Sequence, residues 1–145
     1  MRRFVDYIFT VIIKMWNTIL WFFLCKRSIV LNAYIKQVGL CIRHNNFGDD
    51  LNFYLIKGLT HKHVFNYDSF YHPALKNYIC IGSIVEDMTN NKSIIWGGGV
   101  MYEDYLGFVP PLAVKATRGP LTRQWISKNT PPPVKEERIM QTCIW

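Results

Sequence analysis

The sequence has few cysteines, and their arrangement excludes several kinds of site. The four cysteines lie far apart, without the CxxC spacing of a zinc or redox site. Three of them, Cys25, Cys41 and Cys80, stand in apolar stretches. Such surroundings favour reduced core cysteines in a reducing cytoplasm. His61 and His63 form an HxH pair with no partner cluster, so no metal site is expected.

Acidic residues are scarce at the start of the chain. Residues 1–43 carry a single acidic residue, Asp6, and seven Lys/Arg, so they hold +6 of the formal net charge of +7. This positive charge lies beside the most hydrophobic segment of the chain. It therefore favours an anionic membrane surface as a partner and argues against nucleic acid.

Apolar residues, in contrast, are plentiful. Half of the 145 residues are hydrophobic and 15% are aromatic, which is ample for a packed core and excludes a disordered chain. The length allows one domain of ordinary size or a piece of a larger protein.

Residues 1–27 are predicted to form a hydrophobic helix. No small-residue cleavage pattern precedes Lys26, which argues against a cleaved signal peptide. The segment from Ile8 to Cys25 is long enough to cross a bilayer. On a helix, however, apolar residues cover all but one stripe. The residues of this polar stripe are Asp6, Thr10, Lys14, Asn17 and Trp21. Three interpretations stay open: a helix in the membrane plane, a spanning or signal-anchor helix, and a helix that packs on the protein.

The stretch from Gly39 to Leu55 is predicted to hold a strand, a polar loop and a helix start. Gly39–Arg43 is short and mostly apolar, which favours a strand covered on both faces. Asp49 or Asp50 is expected to cap the following helix. The inner face of that helix is expected to carry Leu51, Leu55 and Leu59. A strand, a glycine-containing loop and a helix N-terminus can form an anion pocket; an ordinary strand–helix connection is the alternative.

Further strands alternate with helices or loops, which predicts an α/β fold with a parallel, doubly wound sheet. These strands are expected at His63–Tyr67, Tyr78–Ile81 and Lys92–Trp96. Ser28–Ile35 is either a strand or a continuation of the first helix.

Three glycines and an arginine follow the later strands. Gly97–Gly99 permits the close approach of a ligand or of another helix, but it does not form a GxGxxG fingerprint. Pro120 suits the first turn of a helix whose face carries Leu121, Trp125 and Ile126. Arg118, just before it, is suited to bind a carboxylate or phosphate.

Four segments, taken in order, carry a resemblance to a known family: HNNFGDDLN, ICIGSIV, IIWGGGV and AVKATRGPLTRQW. They resemble the N-terminal half of the polysaccharide pyruvyl transferase family, over about Val38–Ser127. The resemblance implies a Rossmann-like domain, one of two that face each other in a glycosyltransferase-B-like fold. It also implies transfer of the carboxyvinyl group of phosphoenolpyruvate to a sugar of a surface polysaccharide precursor, which forms a pyruvate ketal without a further cofactor.

The matched positions define the candidate site. They are Asn46, Gly48 and Asp49 in the first segment, Gly82 and Ser83 in the second, Gly97 and Gly99 in the third, and Arg118, Gly119 and Thr122 in the fourth. Gly98 is included with its neighbours. Arg118 is the candidate cationic seat, and His44 is the only nearby candidate in this half for the acid that protonates the enol methylene. The implied partners are phosphoenolpyruvate and a saccharide or lipid-linked saccharide acceptor.

The sequence is therefore divided into a basic N-terminal helix (1–27), a Rossmann-like domain (28–128) and a tail (129–145). Pro131–Pro133 cannot extend a helix, and Val134–Trp145 shows no useful periodicity. Because the tail departs from the family pattern, we expect a truncated enzyme, inactive alone, at the cytoplasmic membrane. The alternatives are a non-catalytic membrane-associated α/β module and a sugar-nucleotide-binding, glycosyltransferase-like domain.

Overall fold

The computed structural model describes residues 2–43, 46–71, 75–102, 104–130 and 139–143. The chain divides into two compact units, residues 1–75 (unit 1) and 76–145 (unit 2). Both units contain α-helices and parallel strands, which confirms the predicted α/β class.

Among its described residues, unit 1 contains two α-helices and four strands. They are α1 (Arg2–Leu24), β1 (Ser28–Leu31), β2 (Lys36–Val38), β3 (Cys41–Arg43), α2 (Phe47–Thr60) and β4 (His63–Asn66). β1 and β4 pair in parallel, with Ser28 opposite His63. The strand at β4 is confirmed, and the open choice at Ser28–Ile35 is decided in favour of a strand. β2 and β3 form an antiparallel hairpin.

The prediction of a strand buried on both faces at Gly39–Arg43 was wrong. Only the last three residues form a strand, and both Cys41 and Arg43 are exposed. The physical reason is the turn before it: Gly39 has a φ of +61°, which begins a two-residue hairpin loop between β2 and β3. The hairpin pairs this strand with β2 alone, away from β1.

The predicted start and inner face of α2 were also wrong. Asn46 is the N-cap, and its Oδ1 accepts a hydrogen bond from the Gly48 N–H at 3.0 Å. Phe53 and Ile56 are buried, whereas the three leucines expected inside are exposed: Leu51, Leu55 and Leu59. The helix begins at Phe47, earlier than expected. Phe53 and Ile56, three positions apart, are the apolar residues of this helix that lie in the core.

The core of unit 1 includes a hydrophobic cluster of Val30, Phe65 and Phe70. The second half of α1 packs against this cluster through Leu20, Trp21 and Leu24. The rings of Trp21 and Phe70 stack with centroids 5.5 Å apart. The packing interpretation of the first helix is therefore confirmed for its second half.

The described part of unit 2 contains four parallel strands and two helices. They are β5 (Asn77–Ile79), α3 (Val85–Met88), β6 (Ser93–Trp96), β7 (Ala113–Thr117), α4 (Pro120–Asn129) and β8 (Ile139–Cys143). The strands pair in the order β5-β6-β7-β8. The predictions of β5, of β6 and of Pro120 in the first turn of a helix are confirmed.

Three details of the prediction fail outside the hairpin and α2. Leu121 is 73% exposed, whereas Trp125 and Ile126 of the same expected face are buried. Ile139–Cys143 forms a strand parallel to β7, although the tail shows no strand period. Cys25 and Cys41 are exposed, and Cys80 alone of the three expected core cysteines is buried. The rest of the tail, 131–138 and 144–145, lies outside the described residues.

Candidate functional site

The glycines after β6 and the arginine after β7 meet at the carboxyl ends of two neighbouring parallel strands. The Gly97 N–H donates to the Ala116 carbonyl oxygen at 2.9 Å, and the Arg118 N–H donates to the Gly98 carbonyl oxygen at 3.1 Å. Two motifs that lie about twenty residues apart in sequence are therefore adjacent. The carboxyl edge of parallel strands is where α/β folds bind their ligands.

The segment after β5 joins the same edge. The Gly99 N–H donates to the Gly82 carbonyl oxygen at 2.8 Å, and the Val85 N–H donates to the Gly99 carbonyl oxygen at 3.1 Å. Ser83 and Gly99 also form an isolated parallel bridge. Unit 2 therefore brings together the site residues expected from the second, third and fourth segments.

Close packing explains two of the three consecutive glycines. A Cβ at Gly97 would lie 2.8 Å from the Cys80 carbonyl oxygen, and its φ of +117° strains any other residue. A Cβ at Gly98 would lie 2.8 Å from Val85 Cγ2 and 2.9 Å from Ile79 Cγ2. At these two positions close packing within the protein is sufficient to explain the glycine, without a ligand.

Gly99 differs, because the side chain of Arg118 occupies the space beside it. A Cβ at Gly99 would lie 2.7 Å from Arg118 Nε and 2.9 Å from Cζ. The arginine is exposed, so its guanidinium lies across this glycine in contact with solvent. An exposed, permanently charged fork at the end of a strand is suited to bind a carboxylate or phosphate with two N–H groups.

The N-terminus of α4 follows Arg118 directly. Gly119 is the N-cap and Pro120 occupies the first turn. The first turn contains no acidic residue, so the partial positive charge of this helix end is not neutralised locally. Thr122 accepts a hydrogen bond at Oγ1 from the Val100 N–H at 3.3 Å, which ties the helix to the chain after the glycines.

Glu86 is a residue of this region that the sequence analysis missed. It is buried, and its Oε1 accepts hydrogen bonds from the Met101 and Tyr102 N–H groups at 2.9 and 3.1 Å. Within the part of the chain that the structure describes, its Oε2 is buried without a hydrogen-bond partner. Glu86 therefore positions the chain that follows Gly99. Its place in a short acidic helix start gave no sequence signal of burial.

The residues expected from the first segment belong to unit 1. Asn46 and Gly48 form the cap of α2 described above. Asp49 lies in the first turn with Asp50, and burial, followed by the neighbouring Asp50 charge, raises the pKa of Asp49 above its ordinary value. His44 lies outside the described residues. This helix end already carries two carboxyl groups, which disfavours a further anion.

Other features of the described residues add no alternative centre. No group of three or more His, Cys, Asp or Glu there could hold a metal ion. His61 is the exposed C-cap of α2 and His63 begins β4. A cavity of about 350 Å³ lies along α4, and its lining contains no expected site residue. The lining residues are Asp104, Leu121, Gln124, Trp125, Lys128 and Asn129.

No protein-family model, curated protein or solved structure matches this chain. The resemblance of the four segments to the pyruvyl transferase family therefore stays a prediction.

Proposed function

We propose that unit 2 supplies part of the phosphoenolpyruvate site of a polysaccharide pyruvyl transferase. The observation that carries the proposal is the position of Arg118, whose guanidinium lies across Gly99 at the N-terminal end of α4. A fixed charge, a helix end without acidic residues and a glycine that admits close approach are the requirements of an oxyanion seat.

The proposed reaction needs the oxyanion seat both for the bound substrate and for the leaving phosphate. An acid protonates the methylene carbon of phosphoenolpyruvate, which leaves C2 with oxocarbenium character. Two hydroxyls of one sugar then form bonds to C2, and the bond between C2 and the phosphate oxygen breaks. Each hydroxyl loses its proton: one proton restores the acid, and the other leaves with the phosphate. Arg118 would hold the carboxylate or the leaving phosphate, while the general acid is expected from the second half of the family fold.

The finer fold assignment belongs to the same proposal. The parallel order β5-β6-β7, with the glycines and Arg118 at the carboxyl edge, supports a Rossmann-like domain of a glycosyltransferase-B-like pair.

The proposed location is the cytoplasmic face of the membrane, where a lipid-linked saccharide acceptor would be held. One helix among the described residues is long and apolar enough to cross a bilayer, Asp6–Arg27, with a mean hydropathy of 1.8. The positive charge of residues 1–43 supports attachment to anionic lipid.

The experiment is an NMR titration of the full chain in detergent micelles with phosphoenolpyruvate at constant ionic strength. One charge-assisted pair contributes about 1.5–3 kcal/mol, so a dissociation constant of about 5–100 mM is expected. The Gly98, Gly99 and Gly119 amides should shift and saturate, and Arg118→Ala should abolish the saturation. Lys115→Ala removes the same charge from an exposed position on β7 and should leave the response intact.

Two outcomes would contradict the proposal. Equal titration curves for Arg118→Ala and Lys115→Ala would show that Arg118 is not the anion seat. Saturation with a uridine diphosphate sugar but not with phosphoenolpyruvate would favour the sugar-nucleotide-binding alternative.

A further inference from the structure

We propose that α1 lies in the plane of an anionic bilayer, with its polar stripe bound to unit 1 from Lys14 onward and its apolar face in the lipid interface. The inference rests on the membrane location proposed above and goes beyond it, because it excludes a spanning helix. Its decisive feature is the contact between Asn17 and the β2–β3 hairpin.

Asn17 is fully buried and uses the whole of its side-chain amide. Its Nδ2 donates to the carbonyl oxygens of Gln37 at 3.2 Å and Ser69 at 2.7 Å. Its Oδ1 accepts from the Gly39 N–H at 2.6 Å. Three backbone groups from two separate segments of unit 1 therefore hold the middle of α1.

Further contacts extend this attachment to the neighbouring residues of α1. Thr18 Oγ1 accepts a hydrogen bond from the Tyr71 N–H at 2.9 Å. Lys14 Nζ lies 5.7 Å from the centroid of the Tyr71 ring, within the range of a cation–π contact. Trp21 stacks on Phe70 as described above. From Lys14 onward, the polar stripe is therefore the side of α1 that binds the protein.

The groups that hold Asn17 cannot enter hydrocarbon with it. Gln37 is buried and donates from Nε2 to the carbonyl oxygens of Val64 and Gly39. Its Oε1 accepts from the Asn66 N–H. A helix that placed Asn17 at mid-bilayer would have to carry this polar backbone into lipid or break all three of its bonds, and lipid offers no replacement partners.

The part of α1 before Lys14 is too short to span by itself. Residues 2–13 form about 18 Å of helix at 1.5 Å per residue, against a hydrocarbon core of about 30 Å. With the rest of α1 bound to unit 1, a crossing is excluded by length.

The face opposite Asn17 fits the interface of an anionic bilayer. It carries exposed apolar side chains at helical spacing: Ile8, Ile12, Met15, Ile19, Phe22 and Phe23. Arg2 and Arg3 begin the helix, and Lys26 and Arg27 follow it. When the helix lies flat, basic residues at both ends reach the same leaflet, whereas a spanning helix would separate them.

The first experiment measures binding of the full chain to vesicles of phosphatidylcholine with about one third phosphatidylglycerol. Ile12 is 57% exposed on the outer face, and Thr10 is exposed on the polar stripe. Ile12→Gln should weaken binding by about tenfold because it removes an apolar side chain from the lipid. Thr10→Gln is the matched control and should change binding by less than about twofold.

The second experiment fixes the topology. The chain, with an epitope at each end, is synthesised in the presence of the same vesicles and then treated with protease from outside. Both epitopes should be digested if α1 lies in the plane. Protection of either epitope would overturn the inference in favour of a spanning helix, even if the membrane location holds.

Vesicle binding separates the remaining outcomes. Equal loss of binding in Ile12→Gln and Thr10→Gln would overturn the assignment of the lipid-facing side. No vesicle binding by the unmodified chain would overturn both the inference and the proposed membrane location, but it would leave the phosphoenolpyruvate titration unaffected.

Discussion

Replacing Asn17 by alanine should release the β2–β3 hairpin from α1, and the amide of Gly39 reports this directly. Asn17→Ala removes three hydrogen bonds to backbone groups of unit 1. Each is worth about 0.5–1.5 kcal/mol net, so the attachment should weaken by about 1.5–4.5 kcal/mol. At 1.4 kcal/mol per factor of ten, the Gly39 amide should exchange with solvent about 10–1,000-fold faster.

The assay is amide hydrogen exchange followed by NMR on the full chain in micelles. Thr10→Ala is the control, because the Thr10 hydroxyl is exposed and donates only within α1, to the Asp6 carbonyl oxygen. The Arg118 amide, bonded to Gly98 in unit 2, serves as the internal reference. A change of less than about threefold at Gly39 would refute the reasoning, since the hairpin would then be held without Asn17.

The remaining predictions concern local packing and charge. Gly99→Ala should weaken phosphoenolpyruvate binding by displacing the guanidinium beside it, whereas Gly98→Ala should lower the melting temperature through overpacking that costs about 1–3 kcal/mol. Asn46→Ala should cost about 1 kcal/mol in urea unfolding because it removes the cap of α2. Asp49 has a raised pKa, so the folded chain binds its proton more tightly than the unfolded chain does. The free energy of unfolding should therefore fall relative to that of Asp49→Asn as the pH rises above 3.8, and a difference between the two proteins that does not change with pH would refute this. Burial raises the pKa of Cys80 to about 12, so iodoacetamide at pH 8 should label the exposed Cys25 and Cys41 before Cys80.

Local patterns predicted the elements that glycine or proline delimits. β6 is a short apolar run that ends in glycines, and it was predicted within one residue. Pro120 marked the start of α4 because its ring suits the first helical turn. β7 was not separated from its surroundings, since the exposed Lys115 interrupts the apolar run.

Contacts between distant segments account for what the sequence could not reveal. The leucines of α2 suggested a buried face, but a hydrophobic pattern does not say which of two apolar faces meets the core. Asn17 bonds to groups 20 to 52 residues away, and Glu86 holds the chain 15 and 16 residues later. A polar residue looks the same in sequence whether its partner is water or a folded backbone.

The charges at two helix ends decide which candidate loop suits an anion. The sequence offered two candidate anion sites, the loop before α2 and Arg118. In the structure Asp49 and Asp50 occupy the first turn of α2, and the raised pKa of Asp49 reflects in part their mutual repulsion. A bound phosphate would add a third negative charge there. The first turn of α4 has no acidic residue, and Arg118 precedes it. Because a guanidinium and a helix end without acidic residues in its first turn both attract an anion, the proposed anion seat belongs to unit 2.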